Sequence, residues 1–454
     1  MVTRRLGGRL LGGQVRRGAV GSVLLAVGTA PLALLVSVVL ARMLGVADFG
    51  VYSFAFALVT LLAIPAQSGL PQLVVRETAR YREGGNLDAV RGLWRWSTGC
   101  VALFSAAIAL LTVLTLIAVS GGSQTPRTAT LLAGLGLIPL IALANLRGAA
   151  LRGLGQVTLG QLPERLVRPV VLIGLVLAAL AAWPTENFSA PLAMGLHCAA
   201  AAVAFLLGAW LLRRGSRAVI ANTRPVYADV RHWSRAFLPL SLVAGLTVAN
   251  ENIDLLLVGF LRSDVEVGVY RAAVQGGVLV LFGMQALKFA IMPHIARLHA
   301  AGDLAGMQRL AIRGAQVALL AALPPGLMFL LFGDWLLVRV FGPGFAEGYV
   351  ALAIISLGQL VNAAMGFVGV LLNMTGHERD AVRGILLSTF VHVGLCLLLI
   401  PAWGIEGAAV ARFTQVIVWN VLLHASVRIR LGVGASVLGR PPKTSLLGGG
   451  QANG

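Results

Sequence analysis

The sequence contains little charge, and lysine is almost missing from it. Only 12% of its 454 residues are Asp, Glu, Lys or Arg, whereas charged residues make up about a quarter of a soluble globular domain. Hydrophobic residues account for 58% of the chain, and the mean hydropathy is +0.87. A soluble domain is therefore excluded, and the composition indicates an integral membrane protein. Abundant Arg and Ala, with Lys288 and Lys443 as the only lysines, are typical of a high-GC bacterial genome.

Cysteine is scarce as well. Cys100, Cys198 and Cys396 each lie inside an apolar run, and their spacing fits neither a disulfide framework nor a metal site. The sequence also lacks the glycine-rich phosphate loop that binds ATP, so ATP is not expected to be the direct energy source. We expect no cofactor and no bound metal.

Long apolar runs are the main positive feature. Runs near the length of a membrane helix, about 20 residues, recur along the chain and predict an all-α integral membrane protein with about 12 transmembrane helices. The twelve runs cover approximately residues 19–40, 50–70, 96–120, 128–146, 166–183, 189–212, 236–259, 267–287, 310–332, 348–372, 384–402 and 406–427.

The placement of arginine predicts the orientation. If both termini are cytoplasmic, the inner segments hold 30 of the 36 Lys and Arg residues, in agreement with the positive-inside rule. The outer loops hold Arg42, Arg127, Arg262 and Arg339. This asymmetry favours twelve spans in a bacterial cytoplasmic membrane. It also explains the sequence pI of 11.5 without nucleic acid, because basic inner loops are expected to contact anionic lipid.

An internal repeat runs through the chain. Shifted by 218 residues, LARMLGVADFGVYSFAFA (40–57) falls on VGFLRSDVEVGVYRAAVQ (258–275), with the two GVY triplets superimposed. A second match follows in the same order, between residues 79–90 and 296–307. The repeat predicts two six-helix lobes that enter the membrane in the same direction, related by an axis along the membrane normal. Transporters built from such halves commonly bind substrate in a central cavity between them.

The repeat also predicts domain boundaries. Segments 71–93 and 291–309 mix apolar and basic residues and are expected to lie along the cytoplasmic surface. The predicted parts are a cytoplasmic N-terminal segment at 1–18, an N-lobe at 19–212, a cytoplasmic inter-lobe linker at 213–235, a C-lobe at 236–429 and a disordered cytoplasmic tail at 430–454.

Charged residues inside the spans are concentrated in the second half. The stretch VANENIDLLLVGF (248–260) places Asn250, Glu251 and Asp254 at spacings of three and four, which puts them on one helix face. Arg271 follows in the next span, and the first half has uncharged residues at the corresponding positions. Since a charge facing lipid is costly, this face is expected to point into the bundle or a wet cavity.

Two interpretations of these charges are open. Asp254 and Arg271 lie at similar depths and could form a buried salt bridge that fixes a helix pair. A second carboxylate, Glu251, together with Arg412 in the last span, exceeds what one structural pair requires. This surplus favours a polar cavity in which Arg271 and Arg412 bind an anionic group and the carboxylates act as charge partners or ion-coupling sites. Arg42 is either a snorkelling residue at a helix end or a further cavity residue.

Uncharged polar residues within the spans are candidates for hydrogen bonds to a sugar. Asn250 and Gln275 stand closest to the charges, and each has the alternative of an ordinary interhelical contact. His392 and His424 are interpreted as structural. The remaining candidates are Asn145, Gln285, Gln359, Asn362, Gln415 and Asn420.

Four motifs carry a family resemblance. LARMLGVADFGVYSFAFA, NENIDLLLVGFLRSDVEVGVYRAA, LLNMTGHERD and LLLIPAWGIEGAAVA occur in this order on successive helices. Together they resemble the polysaccharide transporters and O-antigen flippases of the multidrug, oligosaccharidyl-lipid and polysaccharide exporter superfamily, over residues from about 15 to 430. The resemblance implies two six-helix lobes around a central cavity and alternating access that moves a polyprenyl-pyrophosphate-linked oligosaccharide from the inner to the outer leaflet.

The resemblance also implies residue roles and partners. Related flippases use cavity arginines for the pyrophosphate, and Arg271, Arg412 and Arg42 are the matching candidates here. Asp254 is similar to an acidic residue often found in the seventh helix, and Glu251 is an additional charge. The implied partners are the polyprenyl-linked glycan and membrane lipids, with polysaccharide polymerases or glycosyltransferases as further candidates and no nucleic acid.

Other functions predict different features. The lipid II flippase branch generally has two more helices after the twelfth, and the drug-exporting branch often has an acidic cation site in its first lobe, where we identify no carboxylate inside a span. A cation-coupled antiporter or drug exporter is nevertheless the main alternative. A membrane glycosyltransferase would require larger outer loops with clustered carboxylates, so no enzyme activity is expected. A scaffold protein that only recruits partners would not require unmatched buried charge in one half of the chain, so the charges disfavour this function.

Overall fold

The computed structural model of the protein describes residues 2–67, 69–121, 123, 125–182, 188–220, 223–227 and 229–439. The described residues form helices and connecting turns, with no strand among them. A π-helical segment, Pro163–Val167, and a 3₁₀ segment, Pro343–Gly348, occur between the α-helices. The α-helices are α1 (Val2–Gln67), α2 (Leu70–Glu83), α3 (Leu87–Ser120), α4 (Pro126–Gly134), α5 (Leu137–Gly153), α6 (Val157–Leu162), α7 (Arg168–Ala182), α8 (Ala190–Ile220), α9 (Val230–Leu261), α10 (Asp264–Val280), α11 (Phe282–Ala300), α12 (Leu304–Val340), α13 (Tyr349–Met365), α14 (Val368–Met374) and α15 (Glu378–Leu431).

The predicted all-α membrane fold is confirmed. Among the described residues, 8 helical stretches are long and apolar enough to cross a membrane, and a ninth is added if α10 and α11, bent by 44°, form one span. Two of the stretches, α1 and α15, each contain two predicted spans. Each is broken at one glycine, Gly45 (φ 70°) and Gly404 (φ 57°), because only glycine adopts positive φ without steric cost. The count of twelve spans remains a prediction.

The turn between α9 and α10 has a clear local cause. Ser263 caps α10, and its hydroxyl oxygen accepts a hydrogen bond from the Glu266 backbone N–H at 3.3 Å. The Glu266 carboxylate accepts in return from the Ser263 backbone N–H at 3.1 Å. This capping box satisfies two backbone donors that the first turn of a helix otherwise leaves free. The sequence therefore starts α10 at a defined residue and fixes the register of Tyr270 and Arg271.

The two copies of the repeated motif contact each other. A Cβ atom placed on Gly50 would lie 1.8 Å from the carbonyl oxygen of Asp264, and one placed on Gly268 would lie 2.2 Å from the carbonyl oxygen of Val46. The 218-residue offset exchanges Val46 with Asp264 and Gly50 with Gly268, so the two contacts are equivalent. Reciprocal contacts of this kind are the signature of a two-fold relation, and they support the predicted duplication.

At the opposite end of the bundle, α2 packs against the start of α9. Tyr81 donates a hydrogen bond to the carboxylate of Asp229, and the indole N–H of the buried Trp233 donates to the Tyr81 hydroxyl at 3.1 Å. Burial, together with the hydrogen bond to Asp229, raises the pKa of Tyr81. The phenol therefore stays a donor at neutral pH, and it ties the first half of the chain to the second.

Boundaries near the connections differ from those expected. Helix α8 continues to Ile220 and α9 begins at Val230, so helical structure covers much of the predicted 213–235 linker. After α15, Ala435 is buried, and the Val437 backbone N–H donates to the Ala364 carbonyl at 3.0 Å. The first part of the expected disordered tail is therefore packed, whereas its residues 440–454 lie outside the described residues.

Candidate functional site

A charged cluster lies inside the second half of the chain and centres on Asp254 of α9. Asp254 is 1% exposed. Its Oδ2 atom accepts a hydrogen bond from the Tyr270 hydroxyl at 2.7 Å and forms a shorter ion pair with the guanidinium of Arg412, and its Oδ1 atom accepts from the Leu255 backbone N–H at 2.8 Å. The ring Nε2 of the buried His392 stands 4.0 Å from Oδ2. Both carboxylate oxygens are thus engaged, and Arg412 neutralises the charge of Asp254.

The ion pair that the sequence suggested, between Asp254 and Arg271, is not present. Successive residues of an α-helix point about 100° apart, since there are 3.6 residues per turn. Tyr270 points at Asp254, so Arg271 is turned away from it. Depth along a helix, which the sequence indicates, does not give the direction in which a side chain points.

Arg271 is half-buried on α10 and has no hydrogen bond or ion pair within the described part of the chain. It lies within electrostatic range of Tyr52 in the first half and of Arg412 and Asp254 in the second. Since Arg412 already compensates Asp254, the guanidinium of Arg271 is a surplus positive charge where the two halves meet. Such a charge is costly in a low-dielectric interior unless an anion or water reaches it.

Uncharged polar side chains lie next to the charged cluster, one helical turn away from Asp254 along α9. The side-chain oxygen of Asn250 accepts hydrogen bonds from the Gln415 amide and from the Thr389 hydroxyl, the latter at 3.0 Å. The predicted face of α9 therefore does contact α15 through Asn250 and Asp254. Gln275, one turn beyond Arg271, is buried and makes no hydrogen bond to another described residue.

Glu251 and Arg42 lie apart from the core of the cluster. Glu251 is exposed and forms no ion pair among the described residues, although it is within electrostatic range of Arg412. Arg42 donates hydrogen bonds to two carbonyl oxygens at the end of α12, one of them Val340 O at 2.9 Å. A cation at this position satisfies free carbonyls and opposes the negative end of the helix dipole, which favours the helix-end role for Arg42.

The first half contains polar groups that the sequence analysis did not identify. The Tyr52 hydroxyl lies 2.7 Å from Nδ1 of the buried His197. Glu164 and Arg168 form an ion pair at 3.1 Å, and both lie inside the candidate span Val157–Ala182. The helical stretch is thus longer than the predicted span at 166–183 and includes a carboxylate near its start. That no carboxylate lies within the membrane in the first half stays a prediction.

The helix of the fifth predicted span starts earlier than expected. The sequence predicted a span from residue 166, directly after Pro163, Glu164 and Arg165. In the structure, the helix begins at Val157 and passes through the π-helical segment. The i, i+4 spacing of Glu164 and Arg168, which lets the two charges compensate each other on one helix face, was the available signal.

An all-α bundle with enclosed ionised side chains and polar rows between its helices is the architecture of a multi-pass membrane protein with a functional polar interior. Residues 15–299 match the family described as polysaccharide biosynthesis protein, and the chain belongs to this family. A curated relative, a probable low-salt glycan biosynthesis flippase of Haloferax volcanii, is 24% identical over 173 residues, which cover 38% of this chain and 36% of that protein. The chain thus spans about a third of the length of this relative.

Solved transporter structures share the fold. A multidrug resistance MATE family transporter of the MOP superfamily, in an inward-facing conformation, matches with a TM-score of 0.73 at 12% identity over 90% of this chain and 98% of that one. The lipid II flippase MurJ, in an inward closed conformation, matches with a TM-score of 0.70 at 12% identity over 89% and 87% of the two chains. At this level of identity, the likeness shows that the chain shares the fold of these two proteins.

Proposed function

We propose that this protein is a flippase that moves a polyprenyl-pyrophosphate-linked oligosaccharide from the inner to the outer leaflet of a bacterial cytoplasmic membrane, for cell-surface polysaccharide biosynthesis. Both termini are cytoplasmic, and the lobes at 19–212 and 236–429 exchange access to a central cavity. The polyprenyl chain stays in the bilayer while the pyrophosphate and glycan pass between the lobes. Polymerases or glycosyltransferases of the same pathway are the expected partners.

The surplus charge of Arg271 is the observation that carries this proposal. A pyrophosphate is the anion that a guanidinium binds well, through paired hydrogen bonds to its oxygens. Arg271 stands near Tyr52 and Arg412, so a bound anion would contact both halves of the chain. A substrate that contacts both halves interacts differently with the two conformations, as alternating access requires.

The neighbouring groups have supporting roles in this proposal. Arg412 remains paired with Asp254, and its side chain, 17% of which is exposed, offers a second cation for the anion. Gln275 and Asn250 lie within one turn of the charges and supply amide groups for sugar hydroxyls. Glu251 is an ion-coupling candidate because it is exposed and lacks a cation partner among the described residues.

The test is movement of a fluorescent polyprenyl-pyrophosphate oligosaccharide between leaflets of vesicles that contain the purified protein. Arg271→Gln should slow the movement roughly 10- to 150-fold, because a hydrogen bond to a charged group contributes about 1.5–3 kcal/mol. Arg271→Lys should retain an intermediate rate. Arg383→Gln, which removes an arginine whose side chain is 76% exposed, is the matched control and should leave the rate unchanged.

Two results would contradict the proposal. Wild-type protein that moves no lipid-linked oligosaccharide, with proton and sodium gradients both tried, would exclude a flippase for this substrate. A folded Arg271→Gln variant with the wild-type rate would exclude Arg271 from the pyrophosphate path.

Glu164 favours a second candidate function, a cation-coupled exporter of small solutes. Its Oε1 atom is buried and has no hydrogen-bond partner, while Oε2 pairs with Arg168. A carboxylate enclosed in a transmembrane bundle is a typical ion-coupling site. This function predicts dye export driven by a proton or sodium gradient that Glu164→Gln abolishes, whereas the flippase predicts no dye movement in the same vesicles.

A further inference from the structure

A cationic groove lies at the end of the first half that faces the cytoplasm in the predicted orientation. It is an open surface groove of about 770 Å³ between α3 and α8. Helix α3 contributes Arg91, Trp94 and Arg95, at spacings of three and four, and α8 contributes Arg213 and Arg217 at a spacing of four. These spacings place the residues on one face of each helix, so the groove is formed by two facing helix surfaces.

The charge of this groove is not compensated. Arg95, Arg213 and Arg217 make no hydrogen bond or ion pair with any other described residue, and no carboxylate lines the groove. Helix α8 has no acidic residue, and α3 has only Asp88. The Asp88 carboxylate already accepts the Arg224 backbone N–H at 2.8 Å.

Arginines gathered in this way repel one another unless an anion joins them. Their guanidinium groups bind phosphate oxygens through paired hydrogen bonds, a geometry that a lysine cluster would not provide. The indole of Trp94 adds an apolar wall. A phosphate ester is therefore the ligand class that this groove fits.

The surface beside the groove points to a lipid as the carrier of that phosphate. Leu206 and Trp210 lie seven residues before Arg213 and Arg217, two helical turns along the same face of α8. Both are exposed, with 64% and 52% of their surface accessible. An apolar surface that runs from the arginines toward the membrane interior can bind acyl or polyprenyl chains. A soluble phosphate has no apolar part that would contact this surface.

The groove also adjoins the connection between the two halves. Arg91 donates a hydrogen bond to the Thr223 carbonyl oxygen, and the Val226 backbone N–H donates to the Asp88 carbonyl at 3.2 Å. Gly92 allows this approach, because a Cβ atom there would lie 1.9 Å from the Val226 carbonyl oxygen. A ligand in the groove would therefore rest beside the segment that joins the halves.

We propose that the groove between α3 and α8 binds the phosphate headgroup of a membrane lipid, with the chains of the lipid along Leu206 and Trp210. The lipid is either a resident anionic phospholipid or the polyprenyl pyrophosphate before it enters the central cavity. The two share the same chemistry at the arginines.

Native mass spectrometry of the purified full-length protein tests this proposal. Phosphatidylglycerol, phosphatidylcholine, polyprenyl pyrophosphate and inorganic pyrophosphate are titrated separately. The triple variant Arg95→Gln, Arg213→Gln, Arg217→Gln is compared with a control triple variant at exposed arginines of equal charge, Arg309→Gln, Arg379→Gln, Arg383→Gln. Because each arginine near an anionic lipid surface contributes on the order of a fivefold gain in affinity, the groove variant should bind the preferred lipid about a hundredfold more weakly.

The outcomes separate the two sources of the phosphate. Tighter binding of phosphatidylglycerol identifies a resident lipid site, and tighter binding of polyprenyl pyrophosphate identifies a loading site for that lipid. Equal lipid binding by wild type and both triple variants overturns the proposal, as does inorganic pyrophosphate that binds as tightly as the lipids. If the triple variant does not fold, Arg95→Gln and Arg213→Gln are measured singly, each with an expected loss of about fivefold. The assay reads binding and not transport, so its result is independent of the proposed flippase activity.

Discussion

The crossing of α1 and α10 predicts a sensitive steric test of the interface between the halves. Gly268→Ala would place a methyl group 2.2 Å from the Val46 carbonyl oxygen, with the Gly50 backbone nitrogen at 3.2 Å. The obstacle is backbone, which cannot rotate away as a side chain does. Because non-bonded carbon contacts are favourable near 3.5 Å, the two helices would have to separate by about 1 Å.

The sign of the effect follows from two opposing terms. Alanine stabilises a helix by up to about 1 kcal/mol relative to glycine, whereas an extra methylene group in a tightly packed contact costs about 1–3 kcal/mol. The steric term exceeds the helical gain, so the packed crossing should lose about 1–2 kcal/mol, a change of 5- to 30-fold in its population. Gly394→Ala, at a helical glycine with nothing within 4 Å of its Cβ position, should show only the helical gain.

Crosslinking beside the crossing measures this population. Arg127 and Asp264 form an ion pair at 2.7 Å between the halves, so cysteines at these two positions, in a background without the native cysteines, should be joined by a short bismaleimide. Gly268→Ala should reduce the crosslinked fraction and lower the thermal midpoint of the purified protein. Wild-type crosslinking and stability in Gly268→Ala, or an equal loss in Gly394→Ala, would refute the packing argument.

Three further predictions concern stability. Asp254→Asn should destabilise the protein by about 3–5 kcal/mol, because it leaves the Arg412 guanidinium without its partner; a thermal double-mutant cycle with Arg412→Met should recover much of this loss. Tyr81→Phe should cost about 1–2 kcal/mol by removing a hydrogen bond to Asp229, measured as a lower thermal midpoint with unchanged helical content. Arg42→Ala should cost about 1 kcal/mol or less, as expected for a helix-end cation, and should leave lipid movement at the wild-type rate if Arg42 is a helix cap.

The local sequence pattern was sufficient to predict the helices. It was insufficient to predict which side chains of different helices contact each other. Apolar runs predicted the all-α membrane fold, and the spacing of Asn250 and Asp254 predicted their shared face. The partner of Asp254 is Arg412, 158 residues away, and nothing local to either residue encodes that contact. Arg271 was predicted at the same depth as Asp254, but its side chain does not point toward Asp254. The rotation of a helix about its axis depends on the packing of the whole bundle.

The early start of the helix that contains the fifth predicted span had a different cause. Sequence patterns place a proline and several charges outside a membrane helix, because each alone is unfavourable there. The structure accommodates Pro163 in a π-helical segment and pairs Glu164 with Arg168, so the usual penalties are reduced. A charged pair at helical spacing next to an apolar run is therefore compatible with a helix that continues through both.

The two halves have equivalent backbone contacts where α1 crosses α10. Inside each half, the equivalent side chains have different hydrogen-bond partners. The equivalent tyrosines, Tyr52 and Tyr270, are both buried one half-turn after the crossing glycines, and each makes a hydrogen bond of 2.7 Å. Tyr52 bonds to His197 of α8, whereas Tyr270 bonds to the carboxylate of Asp254. The contact between the halves constrains backbone shape and so retains glycine in both copies, but the interior of each copy is free to take different chemistry. Because the copies diverged, only the second half contributes an arginine at this position, Arg271, and an anion bound there would also be within electrostatic range of Tyr52 in the first half.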